Sequence, residues 1–162
     1  MNKLSNLAVH FSSERTDWET PQYFYEKLDK EFHFNIDVCA TSKNAKHHPF
    51  ISPEQDALKQ DWFIYHTCWM NPPYGRNITG VWLKKAYEES QKGCTVVCLI
   101  PSRTDTIYWH RYAMKGEIRF IKGRIKFVGA KDTAPFPNAI VIFRPAGSNN
   151  KLHVFKSQNQ QY

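Results

Sequence analysis

Asn71-Pro72-Pro73-Tyr74, followed by Gly75, is the stretch of this 162-residue chain whose residue types and spacing carry a definite chemistry. The apolar run before it, Cys68-Trp69-Met70, reads as the end of a buried strand. Consecutive prolines fix φ and stop a strand, which leaves a stiff loop at its carboxyl end. Open α/β sheets hold their ligands at that edge. The loop offers the Asn71 side-chain oxygen, the Pro72 backbone carbonyl and the flat face of Tyr74. Two acceptors beside a ring suit the exocyclic NH2 of a planar heterocycle. The lone pair of such an amine is delocalised into the ring and is a poor nucleophile. Accepting both N–H protons favours a pyramidal nitrogen and frees the pair for an incoming electrophile. A plain Pro-Pro turn with a surface tyrosine has the same four letters, so the flanking elements must decide.

Those elements can be read from the punctuation. Thr20 is a plausible N-cap with Pro21 at the first helical position, opening a helix to about residue 31 whose Phe24, Leu28 and Phe32 recur every four residues. Residues 34–38 alternate as a short strand, and a polar stretch with Pro49 and Pro53 leads through Asp56-Ala57-Leu58 to the strand ending at Met70. Residues 78–92 form a helix that Gly93 stops. Residues 95–100 are continuously apolar, as in the middle of a parallel sheet, and Pro101 ends them. Asp105 caps a helix running to about residue 114. Residues 117–121 and 125–128 read as two strands joined around Gly123, and residues 139–143 as a final strand. The order predicts an α/β fold, a mainly parallel, helix-covered sheet with antiparallel strands at the C-terminal edge. One domain over residues 17–146 is expected, after a loose lead-in at 1–16 and before a polar, frayed tail at 147–162.

Composition narrows the setting. No run of 18 apolar residues exists and the first ten residues lack a signal-peptide pattern, so a cytoplasmic protein without a membrane span is expected. Cys39, Cys68, Cys94 and Cys98 sit mostly in apolar runs and read as reduced core thiols. Cys39 with His47 or His48 matches no standard zinc spacing, so no metal is expected. Charge is uneven. Residues 14–61 hold ten acidic and six basic side chains, a net of −4, whereas residues 103–131 hold eight basic and two acidic, a net of +6. The basic segment is interleaved with Tyr108, Trp109, Tyr112, Phe120 and Phe127, a mixture suited to a polyanion that carries bases.

With the pieces placed, the chain resembles the phage-type, Dam-like family of DNA adenine-N6 methyltransferases. The resemblance runs from about residue 17 to residue 143. It rests on Trp18-Glu19-Thr20-Pro21, Ile36-Asp37-Val38-Cys39-Ala40, Asp56-Ala57-Leu58, Asn71-Pro72-Pro73-Tyr74-Gly75, Leu99-Ile100-Pro101-Ser102-Arg103-Thr104, Lys122-Gly123-Arg124-Ile125-Lys126-Phe127 and Pro135-Phe136-Pro137. It implies a Rossmann-like methyltransferase fold, S-adenosylmethionine as methyl donor without a metal, and DNA adenine as acceptor. Carried over by position, Asn71, Pro72 and Tyr74 match the catalytic loop. Thr20 and Pro21 match the block at the donor's methionine end, Asp37 the acidic residue near the donor, and Asp56 the one against its adenine amine. The chain departs from the glycine-rich turn of many methyltransferases, since Val38-Cys39-Ala40-Thr41-Ser42 contains no glycine.

Plainer roles stand beside these. Asp37 could simply cap the next turn, and Asp56 could be a solvated loop carboxylate. Arg103 could hold phosphate or brace Asp105. Lys122, Arg124 and Lys126 alternate, so they line one face, as DNA contacts or as a solvated surface. Related enzymes acting on the cytosine amine, on RNA adenine or on a protein glutamine amide use similar loops, and a catalytically silent DNA-binding accessory protein would keep the same fold.

Overall fold

The computed structural model describes residues 17–148 and the backbone of residues 153–156. Six strands form one sheet: β1 (Ile36–Asp37), β2 (Thr67–Met70), β3 (Thr95–Pro101), β4 (Glu117–Lys122), β5 (Asn138–Phe143) and β6 (His153–Lys156), in the spatial order β1-β2-β3-β5-β4-β6. β1, β2 and β3 are parallel neighbours, with Met70 opposite Cys98. β5 runs antiparallel to both β3 and β4, and β4 pairs with β6 in parallel. The predicted mixed α/β sheet with a parallel end is therefore present, but the antiparallel strand lies inside the sheet and not at its edge. β4 consequently points the same way as β1–β3, so Lys122 ends on the same edge as Asn71.

Alternation along the strands buries both sheet faces. Cys68, Met70, Val96, Cys98 and Ile100 face one cluster with Leu83 and Ala86 of α2 (Ile78–Gln91) and Trp109 of α3 (Ile107–Arg111). Trp69, Val97, Leu99, Ile140 and Ile142 face the other, against Phe24, Tyr25 and Leu28 of α1 (Gln22–Phe32) and against Ile125 and Phe127. A strand buried on both sides must be apolar throughout, which is why residues 95–100 show no polar alternation. The thiols of Cys68, Cys94 and Cys98 are buried and, like that of Cys39, free.

Four expectations shift. Pro21, not Thr20, is the N-cap of α1, in extended conformation and without a side-chain cap; the Thr20 hydroxyl is bonded elsewhere. The strand expected at 34–38 shrinks to Ile36–Asp37. The helix after β3 starts from Thr106 rather than Asp105 and breaks at Tyr112, leaving a separate tight turn at Ala113–Lys115. Residues 125–128 keep their in-out alternation but form no strand, because β5 and β6 already occupy both edges of β4. β6 itself arises within the stretch assigned to the polar tail.

Candidate functional site

The carboxyl ends of β1 and β2 border a cavity of about 420 Å³. Its wall includes Thr20, Asp37, Lys46, Asp56, Asn71 and Pro72. Four of the residues that sequence placed at the donor or the catalytic loop therefore converge with Pro72 on one space. Pro21 lies one residue beyond the lining and contributes its carbonyl to the first turn of α1.

Asn71 follows the last residue of β2, so its position is set by the register of a buried strand. Its Nδ2 donates to the Trp18 carbonyl at 2.5 Å and to the Thr20 hydroxyl at 2.9 Å. A backbone carbonyl can only accept, so the amide nitrogen must face Trp18 and the oxygen must face away. That oxygen, Oδ1, is buried without a hydrogen-bond partner among the described residues. An unpaired buried acceptor costs about 1–3 kcal/mol, a cost removed by any ligand that brings an N–H. No backbone amide among the described residues donates to the Pro72 carbonyl.

Tyr74 takes a different place from the one its sequence suggested. Its side chain is 5% exposed and does not line the cavity. The hydroxyl donates to the Leu99 carbonyl at 3.1 Å, and the ring meets Phe127 and Phe136 edge-on at 6.1 and 5.7 Å. Burial pushes the phenol well above its ordinary range, so it stays protonated as that donor. Trp18 packs on the same two phenylalanines, joining the Asn71 partner to the Tyr74 ring.

Asp37, at the end of β1, is 2% exposed. Its oxygens accept from the backbone amides of Cys39 at 3.1 Å and Lys46 at 3.0 Å. It thus caps the turn and lines the cavity at once. Burial raises its carboxyl from 3.8 to about 6, against the two amides and the Lys46 charge, which lower it. Asp56 sits at φ 52°, ψ 79° between two single-turn helices, Pro53–Gln55 and Ala57–Lys59. Left-handed backbone is uncommon outside glycine, though aspartate tolerates it. Its carboxylate pairs with Lys59 at 2.8 Å, which holds it below the usual range.

Sequence reading missed two supports. Lys46 reaches Glu19 at 2.9 Å and brings the stretch before α1 to the cavity. Glu89 of α2 accepts from the amides of Trp62 and Phe63 at 2.8 and 3.1 Å, while the Trp62 indole donates to the Ala57 carbonyl at 2.8 Å. The loop bearing Asp56 is thereby tied to the helix that follows Asn71. Only the helical phase of Glu89, on a buried face of α2, hinted at this.

Arg103 stands exposed just past β3 and outside the cavity, its carbonyl accepting from Thr106. Lys122, Arg124 and Lys126 are exposed while Ile125 and Phe127 between them are buried. The alternation therefore puts the three cations on the outer side of a segment whose inner side packs on Tyr74. Arg119, counted with the basic segment, is instead bound to Glu31 through two 2.6 Å contacts and to Glu117.

Comparison with known proteins fits this geometry. Residues 8–161 match the sequence model of the family described as DNA N-6-adenine-methyltransferase (Dam). A DNA N-6-adenine-methyltransferase of Haemophilus phage HP1 (strain HP1c1) is 31% identical over 149 residues, which cover 86% of this chain and 85% of the phage protein.

Proposed function

The chain belongs to the DNA N-6-adenine-methyltransferase (Dam) family, and from that premise we propose how its carboxyl edge methylates adenine. Asn71 Oδ1 and the Pro72 carbonyl each accept one N–H of the adenine N6 amine. The observation that carries this is the Asn71 amide, turned by Trp18 and Thr20 so that its oxygen stays buried and unpaired. With both protons held, the nitrogen lone pair is directed at the methyl group in line, and positioning supplies most of the rate. The new N–C bond forms first, and the N6 proton leaves afterwards, so no strong base is required.

S-adenosylmethionine, when bound, supplies the methyl on a sulfonium whose C–S electron pair departs with sulfur. The residues present fit such a donor. The cavity falls within the range for small-molecule sites. It combines the carboxylates of Asp37 and Asp56 and the ammonium of Lys46 with the apolar Ile51 and Trp82. Thr20, with Pro21 one residue behind the lining, would border the methionine end, Asp37 would lie near the donor and Asp56 against its adenine amine. The left-handed backbone at Asp56 is strain of the kind that collects at ligand sites. The parallel β1–β3, with a cavity at the carboxyl ends of β1 and β2, supports the Rossmann-like methyltransferase fold within this reading.

The amine of a paired adenine is out of reach, so the base must leave the duplex at a cost of a few kcal/mol. Tyr74 is the ring proposed to stack under it, and the half-buried Phe136 packs edge-on against that ring. Arg103, Lys122, Arg124 and Lys126 hold phosphates along the same edge. The reading places this work on DNA in a bacterial host cytoplasm; separately, among the described residues no helix is long and apolar enough to cross a membrane. The test is to incubate the protein with DNA and methyl-labelled donor and digest to nucleosides. Label in N6-methyldeoxyadenosine is expected; label in a cytosine derivative, or transfer to RNA alone, would contradict the reading.

A further inference from the structure

At 78% exposure, Ile107 is the most solvent-exposed large hydrophobic side chain among the described residues. A lone surface isoleucine needs no explanation by itself. Its place does. The two residues after it are anchored: the Tyr108 hydroxyl donates to the Pro101 carbonyl at 3.0 Å, and Trp109 is buried with its ring stacked on Phe120. The Tyr108 bond lies two residues along β3 from the carbonyl that Tyr74 holds. α3 also packs closely on the helix that follows the catalytic loop, since a Cβ built at Gly80 would meet the Tyr108 Cβ at 3.2 Å. The short α3 is therefore fixed to the catalytic rim by its inner face. Its outer face presents Ile107 in an open depression shared with Asp105, His110, Arg111 and Lys115; Arg111 follows Ile107 by about one helical turn, and the exposed Arg103 precedes it by four residues in the chain.

We propose that α3 is the element that enters the DNA stack, with Ile107 filling the space left by the departing adenine while Arg103 and Arg111 hold the phosphates beside it. This rests on the adenine-methyltransferase reading and adds to it the residue that keeps the base out. The charge around Ile107 selects the occupant: Arg111 and Lys115 outweigh Asp105 in the depression, and an apolar tip in a net positive surround is complementary to stacked bases between phosphates. Apolar side chains inserted at a base step unstack it and stabilise a distorted duplex. Firm anchoring through Tyr108 and Trp109 suits a wedge, since a side chain on a loose loop would itself be pushed aside by the returning base.

The test uses single-turnover methylation of two duplexes that differ only opposite the target adenine, one carrying thymine and the other an abasic site. Ile107→Ala should be slower than wild type on the paired duplex by about tenfold or more. It should match wild type on the abasic duplex, where no partner base draws the adenine back. Ile107→Leu should match wild type on both, and donor affinity should be unchanged throughout. Full activity of Ile107→Ala on the paired duplex would overturn the wedge, as would an equal loss on both duplexes. A wild-type protein that methylates neither duplex would overturn the parent reading and the wedge together.

Discussion

Asn71 is half-buried, fixed by two hydrogen bonds, and keeps a buried acceptor atom in reserve. Lys122, Arg124 and Lys126, on the same edge of the sheet, are exposed side chains on a segment whose inner side packs through Ile125 and Phe127 and whose backbone is tied to Glu19 and Ala134. The contrast separates two tasks. Methyl transfer depends on sub-ångström placement, so its groups sit at the end of a buried strand where register decides their position. Phosphate attraction depends on charge count, tolerates movement and is screened by salt. Substitutions in the first region should therefore change rate sharply at one atom, whereas those in the second should change affinity in small, additive steps.

The largest effect is expected at Asn71. Asn71→Ala should lower single-turnover methyl transfer by about 10²–10³, the range for losing one preorganised group at a reacting centre. Calorimetry should find its donor affinity unchanged. Tyr74 comes next and tests whether the ring or the hydroxyl matters. Tyr74→Ala leaves a hole against Phe127 and Phe136 and should cost about 3–5 kcal/mol of stability in denaturant titration, with activity lost. Tyr74→Phe gives up one buried hydrogen bond, about 1 kcal/mol, and should retain most turnover. Equal loss in both would transfer the role to the hydroxyl.

Intermediate effects belong to the donor side. Asp56→Ala should weaken donor binding about tenfold by calorimetry, as for one charge-assisted hydrogen bond. Asp37 adds a pH signature. Its carboxyl is raised to about 6 by burial, so its contribution to stability is fully present below 3.8 and is lost as pH rises through about 6. Donor binding that uses the carboxylate runs the other way and should weaken as pH falls through about 6. Asp37→Asn should flatten that profile; an unchanged profile would make Asp37 a turn cap alone. The smallest steps belong to the basic flank. Each neutralised member of Lys122, Arg124 and Lys126 should reduce the slope of log affinity against log salt by about 0.9 on duplex DNA. A triple variant with an unchanged slope would assign the phosphates elsewhere on the rim.

What the sequence made legible follows from locality. The strand into Met70, the proline stop and the helix after it are specified by neighbouring residues, and Asn71 fell where expected. The apolar run of β3 fixed the middle of the sheet for the same reason. Long-range contacts hid the rest. Residues 125–128 alternate like a strand, but strand pairing needs a free edge, and those of β4 are taken by β5 and β6. Tyr74 looked like an open stacking face because nothing nearby in sequence announces Phe127 and Phe136, more than fifty residues later. Thr20 looked like a helix cap, whereas its hydroxyl is bonded by an amide 51 residues away. The support that Glu89 gives to the Asp56 loop is a tertiary contact of the same kind.

The central claim, that Asn71 Oδ1 is paired only when the adenine amine arrives, is tested most directly by a cycle that crosses protein and base. Wild type and Asn71→Ala would each be titrated, with S-adenosylhomocysteine present, against duplexes carrying adenine or unsubstituted purine at the target. Purine keeps the ring and lacks the amine. Wild type should favour adenine, Asn71→Ala should bind the two alike, and the coupling between the changes should be about 1–3 kcal/mol. Strictly additive losses, with the preference for adenine intact in Asn71→Ala, would contradict the assignment of Asn71 as the amine acceptor.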